Sequence, residues 1–283
     1  MFSWTARSTK FTTTNFAYSK DVMISAGGTV RVSKSIRTDA SNGAGGRITI
    51  EASGDITAPG KLSAQGGGLA GSIYLESSTG SVAIDGRASV SAKGGSYPVP
   101  GQIHVSAAVD VTVSGDLLLR GAEPGRLAIA AGDVVRIATG AVVDLRSSKS
   151  CGALLTIDAG GDLVQEVASR IVGCASPALT AGGDATLGWM DLESRVLQRA
   201  AGSLTAAAGG DLRVSGAIVG RPASDSAQGT AVSLSGCNLF VDGASSIEAR
   251  SNVLRAASSM LVVTGIVTPT PTISFNGALA CGP

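Results

Sequence analysis

Aromatic side chains are scarce. Phe, Trp and Tyr make up 4% of the 283 residues, although 44% of the chain is hydrophobic. Compact enzyme cores draw much of their volume from aromatic rings, so this core is assembled differently, from Ala, Val, Ile and Leu with 39 Gly. Charge of one sign is also missing: 22 basic residues stand against 21 acidic ones. No clustered Lys and Arg are present to neutralise phosphates, which argues against nucleic acid as a partner. No run of like charge marks a tail or a membrane-surface patch. The most apolar late stretch, Met260–Val267, is only eight residues, far short of the about 20 needed to cross a bilayer. No membrane insertion is expected. Residues 1–20 contain no continuous apolar stretch and do not read as a signal peptide, so an export route is not visible.

Several chemistries lack their parts. No CxxC pair exists for zinc. The only histidine is His104. A Ser-His-Asp triad would have to use it, but alternation in Ile103-His104-Val105 turns it outward, where a solvated surface histidine is expected. No histidine cluster exists for a transition metal. The glycine stretches 43–46, 66–68 and 94–95 are followed by no Gly-Lys-Ser/Thr, so they are not phosphate loops. No cofactor and no catalytic residue is assigned.

A degenerate repeat is present. From Gly46 the chain carries Ile48/Ile50, then Ile56, then Leu62/Ala64. From Gly71 the same order gives Ile73/Leu75, Val82/Ile84 and Ala88/Val90. From Gly101 it gives Ile103/Val105, Val111/Val113 and Leu117/Leu119, and from Gly125 Leu127/Ile129, Val135/Ile137 and Val143/Leu145. A spacing of two puts each pair on one face of a strand. Three such strands per unit, separated by Gly, Ser, Asp or Pro, describe a triangular coil. Lead residues at Val22, Ile48, Ile73, Ile103, Leu127, Leu155, Leu179, Leu204, Val232 and Leu261 define about ten coils of 24–30 residues.

The pattern predicts an all-β fold, a single-stranded parallel β-helix or β-solenoid. One coil cannot bury its inward side chains alone, whereas stacked coils satisfy the backbone through parallel ladders and bury a continuous column. Glycine at the corners is expected to supply positive φ. The rival fold, an antiparallel sandwich or barrel, typically uses two-residue hairpins. Asn42-Gly43 and Asn276-Gly277 are the only Asn-Gly pairs.

Residues 22–264 are assigned to the solenoid, 1–21 to an N-terminal cap or docking segment, and 265–283 to a C-terminal cap or tail. Half of the aromatic residues lie near the start: Phe2, Trp4, Phe11, Phe16 and Tyr18. These form the candidate assembly interface, through which end-to-end self-association is expected if they dock on a neighbour instead of folding over their own first coil. Proline at 269, 271 and 283 suits a terminating edge, because proline cannot donate to a ladder. The segment Trp189–Ala201 is poor in glycine. It fits a short helix with Leu192, Val196 and Leu197 on one side, or equally a strand pair. Cys151, Cys174, Cys237 and Cys281 permit two disulfides in three connectivities. The most local pairs Cys151 with Cys174 and Cys237 with Cys281, and four buried thiols are the alternative.

Gly-Asp recurs at 54–55, 115–116, 132–133, 161–162, 183–184 and 210–211. The spacing lacks the closely set calcium-binding nonapeptide form, and turn chemistry accounts for it without a ligand. A carbohydrate-active β-helix, lyase or hydrolase, is the alternative function. It would need grouped carboxylates, for which Asp85, Asp110, Asp116, Glu123 and Asp144 are candidates with Tyr74 and Tyr97 nearby.

The alternating I-x-I, G-D-I and A-x-G-G pieces of Gly46–Gly68 and Gly71–Gly95 resemble the repeats of bacterial filamentous-haemagglutinin-like and autotransporter-passenger surface proteins. The resemblance covers about residues 22–250. It implies a right-handed β-helix, export to the cell surface or the medium, and an adhesive or scaffold role. The function expected is therefore an extracellular structural or adhesive β-helix, a subunit of a fibre or surface coat, and not an enzyme. A host or surface glycan or protein is the expected partner.

Overall fold

The computed structural model describes the chain except residues 1, 7–9, 13–15, 18–20, 42, 93–100, 124, 148–150, 193–201, 221–229, 259, 276–280 and 282–283; within the strands of 2–17, and for 90–92, only the backbone is described. Every described strand pair is parallel. The strands stack in three sheets of twelve, eleven and eleven. The first sheet runs from Phe2–Ala6 to Thr272–Phe275, the second from Lys10–Thr12 to Leu261–Val263, and the third from Phe16–Ala17 to Ile266–Thr268. The chain visits them in rotation, so each circuit adds one layer. This is a parallel β-solenoid, as the repeat predicts, with no helix among the described residues. Twelve layers at about 4.8 Å make a column roughly 50 Å long.

The lumen is filled as the alternation requires. Ile48, Ile50, Ile56, Leu62, Ile73, Leu75, Val82, Ile84, Ile103 and Val105 are all fully buried. Direct register stacks like on like: Ile48 on Ile73 on Ile103 on Leu127 on Leu155. Branched aliphatic side chains fit such columns because each pleat repeats the one beneath it. Gln165 and Asn252 break the rule. Gln165 stands in register with Ile137 inside the lumen, where its amide donates to the Trp189 carbonyl at 2.9 Å.

Three expectations change and one open alternative is decided. The ladders pass both limits assigned to the solenoid, 22 and 264: strands at Phe2–Ala6, Lys10–Thr12 and Phe16–Ala17 form a coil before Val22, and Ile266–Thr268 and Thr272–Phe275 extend the other end. Leu261 does not lead a coil. It lies in the second sheet, and the first-sheet strand there is Ser251–Ala256. Coil length is more variable than 24–30, from 19 (Leu254 to Ile273) to 30 (Ile73 to Ile103). Finally, of the two readings of Trp189–Ala201, the strand holds where the chain is described: Trp189–Asp191 is a third-sheet strand in register with Arg170–Val172, and 193–201 lie outside the described residues.

The corners explain the Gly-Asp dipeptides. Between first and second sheets the chain repeats Ala-Gly-Gly-Asp at 159–162, 181–184 and 208–211. The alanines face the lumen. A Cβ on Gly160, Gly182 or Gly209 would lie closer than 3.0 Å to the carbonyl oxygen of Gly132, Gly160 or Gly182 in the coil before. A Cβ on Gly161, Gly183 or Gly210 would overlap the carboxylate of Asp133, Asp162 or Asp184. Two of these carboxylates accept a backbone hydrogen bond from the next coil. Asp184 donates its N–H to Asp162 Oδ1 at 2.8 Å, and Asp211 donates its own to Asp184 Oδ1 at 2.8 Å. Asn238 Nδ2 continues the row onto Asp211 at 2.6 Å. The second glycine is thus the space that the previous aspartate needs, and the aspartate caps a donor the turn would leave unpaired. Positive φ, expected generally at the corners, occurs among the described residues only at Gly43, Gly140, Gly152 and Gly173. Close stacking, not handedness, selects most of the corner glycines.

Candidate functional site

Connections differ among the three corners. The first corner spends two to four residues, from 27–28 to 78–81, and the second one to four. The third corner, returning from third sheet to first, ranges from 173–174 and 249–250 to 38–46, 93–101, 145–152, 192–202 and 220–230. Insertions therefore collect along one edge, the arrangement by which solenoids carry variable surface without disturbing the stack.

Beside that edge lies the most buried carboxylate among the described residues. Asp144 has a side chain 0% exposed. Arg120 Nε donates to its Oδ2 at 2.7 Å, and Arg146 donates Nε at 2.9 Å and backbone N–H at 3.1 Å to Oδ1. Burial pushes the Asp144 carboxyl upward, but the hydrogen bonds from Arg146 and Arg120 outweigh it and hold the group below the ordinary aspartate value. Asp39, four coils earlier on the same corner, is likewise pushed up by burial and held below its usual value by Ser63 Oγ at 2.7 Å, the Gln65 N–H at 2.9 Å and Arg37. Glu166, at the second corner, is lowered by the hydroxyl and N–H of Thr139 and by Arg136.

These shifts have one sign. A carboxyl whose folded pKa lies below its unfolded value binds fewer protons folded than unfolded, so its stabilisation is complete above the unfolded pKa of about 4. It is lost as pH falls through the folded value. The urea midpoint is expected to stay level from pH 7 to about 4.5 and to drop below that, with Asp144→Asn removing part of the drop. A midpoint unchanged down to about pH 2.5 would contradict this assignment.

The outer face of the first sheet carries a second grouping. Thr49, Tyr74 and His104 are register neighbours across three coils, flanked by Arg47, Ser72 and Gln102 on one side and Glu51, Glu76 and Ser106 on the other. The Arg47 guanidinium lies 5.3 Å from the Tyr74 ring centre. The tyrosine and histidine rings are 6.1 Å apart, and Tyr74 Oη donates to Gln102 Oε1 at 2.9 Å. An aromatic face, a guanidinium, an imidazole and two adjacent carboxylates thus lie on one flat surface. Such a surface offers stacking and hydrogen bonds to a polar ligand. His104 points outward as alternation requires. Its pairing with Tyr74 was legible too, since Ile73-Tyr74-Leu75 and Ile103-His104-Val105 are the same strand one coil apart.

The carboxylates proposed from the sequence are dispersed. Asp110 is at the first corner, capping the Val134 N–H at 3.0 Å. Asp85 and Asp116 lie at the second corner, the latter paired with Arg87 at 3.0 Å. Glu123 and Asp144 lie at the third. Tyr97 falls outside the described residues. Among the described residues no group of three or more His, Cys, Asp and Glu is placed to hold a metal ion.

Both disulfides form in the local connectivity, Cys151–Cys174 and Cys237–Cys281. The first ties the long connection 145–152 to the short one above it, where the N–H groups of Gly152 and Ala153 also donate to the Cys174 carbonyl. The second brings Cys281 to Cys237 at the first corner. Among the described residues no helix is long and apolar enough to cross a membrane.

The proposed assembly residues divide. Register sets Phe2 opposite Val22, Trp4 opposite Ile24, Phe11 opposite Val30 and Phe16 opposite Ile36, and all four partners are buried in the lumen. Tyr18 lies outside the described residues. The opposite end carries a feature that the repeat pattern does not announce: apolar residues at lumen positions of the last layer, Val263, Ile273 and Phe275, that are exposed.

No family model matches the chain, and no curated protein or solved structure matches it.

Proposed function

We propose that this chain is an extracellular structural or adhesive β-helix of a bacterial surface, whose flat outer faces are its working surface. The observation that carries the reading is the unbroken stacking of three parallel sheets from Phe2 to Phe275. A column of this kind presents side chains at fixed intervals of about 4.8 Å and holds them rigidly. Two disulfides support an oxidising compartment, because such bonds persist outside the reducing cytosol. The repeat's resemblance to surface β-helices points the same way.

On this reading the Tyr74–His104 face is the adhesive patch. Immobilised protein is expected to retain a surface glycan or protein from a panel, and Tyr74→Ala is expected to weaken retention about ten-fold, the 1.4 kcal/mol that loss of an aromatic contact can remove. Unchanged retention in Tyr74→Ala together with His104→Ala would remove the patch. The alternative, a carbohydrate-active enzyme, has one observation in its favour: Glu51 and Glu76 are direct register neighbours beside Tyr74. Reducing ends released from a polysaccharide panel, and abolished by Glu76→Gln, would establish it over the structural reading.

A further inference from the structure

We propose that the C-terminal end of the solenoid binds the N-terminal coil of a second copy of this chain, stacking the columns head to tail. The proposal rests on the structural reading above and names its partner.

Four observations converge on this end. The lumen is open there. Val263 is 39% exposed, Ile273 47% and Phe275 58%, whereas their register partners one layer below, Val241, Leu254 and Ala256, are 1%, 0% and 1%. The apolar column that each coil closes over its predecessor is left uncovered at its last layer. Second, among the described residues all three sheets end together in unpaired edges, the strands Leu261–Val263, Ile266–Thr268 and Thr272–Phe275. Third, the edge is unguarded. Proteins commonly protect such strands with charge, yet no residue from Ala256 to Pro283 is charged. Pro269 and Pro271 fall between the terminal strands, so those strands keep their free donors. Fourth, Cys281 is held aside. Phe275 stacks on Ala256 and Ala256 on Gly236, which precedes Cys237. The Cys237–Cys281 bond therefore fixes Cys281 beside the column, two layers back from its end, and not over the exposed lumen.

The chain itself carries the matching surface. Its first coil ends in the same three parallel edges, at Phe2–Ala6, Lys10–Thr12 and Phe16–Ala17. The lumen-register positions there are Phe2, Trp4, Phe11 and Phe16. Like ends of a solenoid do not continue its parallel ladders, because turning one copy over reverses its strands. Unlike ends do continue them. The contact is therefore heterologous, and a contact of that kind along one axis does not close: it gives linear filaments.

The test is light scattering on the full chain with both disulfides intact, over concentrations up to about 100 μM, where an interface of micromolar affinity is populated. Mass is expected to rise with concentration, and electron microscopy is expected to show rods of more than one column length. Ile273→Lys and Phe275→Lys alter residues already about half exposed, so melting is expected to be unchanged while association falls at least about ten-fold. Phe11→Lys, with Trp4→Lys as a second variant, blocks the other end, folding being checked by melting. A mixture of Phe275→Lys and Phe11→Lys chains retains one competent end of each kind and is expected to stop at heterodimers. Wild-type protein that stays monomeric throughout would overturn the proposal. So would association that Phe275→Lys abolishes and the folded N-terminal variants leave intact, which would mean that C-terminal ends meet each other. Retention of a surface ligand by a strictly monomeric chain would leave the structural and adhesive reading standing while this inference fell.

Discussion

Replacing Gly182 with alanine is expected to lower stability by about 3 kcal/mol, although it adds one methyl group at a surface corner. The added Cβ would meet the Gly160 carbonyl oxygen closer than 3.0 Å. Neither side can yield cheaply. Gly182 donates to the Ala159 carbonyl at 2.9 Å, and Gly209 donates to Ala181 at 2.9 Å in the next layer, so a shift at one corner strains the ladder above and below it. Gly27→Ala is the control, because a Cβ there meets nothing within 4 Å. It is expected to be neutral or slightly stabilising by restricting the unfolded chain. Denaturant midpoints of the two variants at equal slope measure the difference. Equal midpoints would show that the stacked glycines are turn residues only, and that the contact between coils does not select them.

Loss of the Cys151–Cys174 bond is expected to be nearly as severe. It closes a separation of 23 residues, for which loop-closure entropy amounts to about 3 kcal/mol. The bond also anchors the longer third-corner connection onto the next coil. The Cys151→Ser/Cys174→Ser protein is expected to have a lower midpoint by roughly that amount. Loss of Cys237–Cys281, separation 44, is expected to differ in character. The last coil touches only one neighbour, and terminal units of a stacked array open first. Proteolysis of the Cys237→Ser/Cys281→Ser protein is therefore expected to begin in the terminal strands after Ser251 while the central coils remain intact. First cleavage in the central coils, or uniform resistance, would contradict this picture.

Much of the column was legible in advance because a solenoid writes its core locally. Ile73 and Leu75 two residues apart, repeated as Ile103 and Val105, state both the strand face and the stacking partner. The coils that escape such a reading are those where the local signal changes form. Ser251–Ala256 buries Asn252, Leu254 and Ala256 at lumen positions, so its apolar pattern is weak, and the more apolar Leu261–Val263 imitates a lead strand in its place. In the first coil the positions in register with the lumen are Phe2, Trp4, Phe11 and Phe16, residue types foreign to the rest of the repeat. The carboxylates proposed for catalysis do not gather because sequence spacing does not say which of three corners a turn residue occupies. Asp85, Asp110 and Glu123 belong to three different edges.

By itself, the sequence determined that this chain is a stack of three-stranded coils with a narrow aliphatic lumen, because period-two alternation within a repeat of 24–30 residues favours little else. It also determined that His104 faces outward. Tertiary structure alone decided what the glycines are for and what the last coil leaves open. A stacking clash, such as a Cβ at Gly183 against the Asp162 carboxylate, exists only between residues of neighbouring layers, and no local pattern contains it. The exposure of Ile273 and Phe275 has the same origin. Each is an ordinary lumen residue by sequence, and it is exposed only because no coil lies above it.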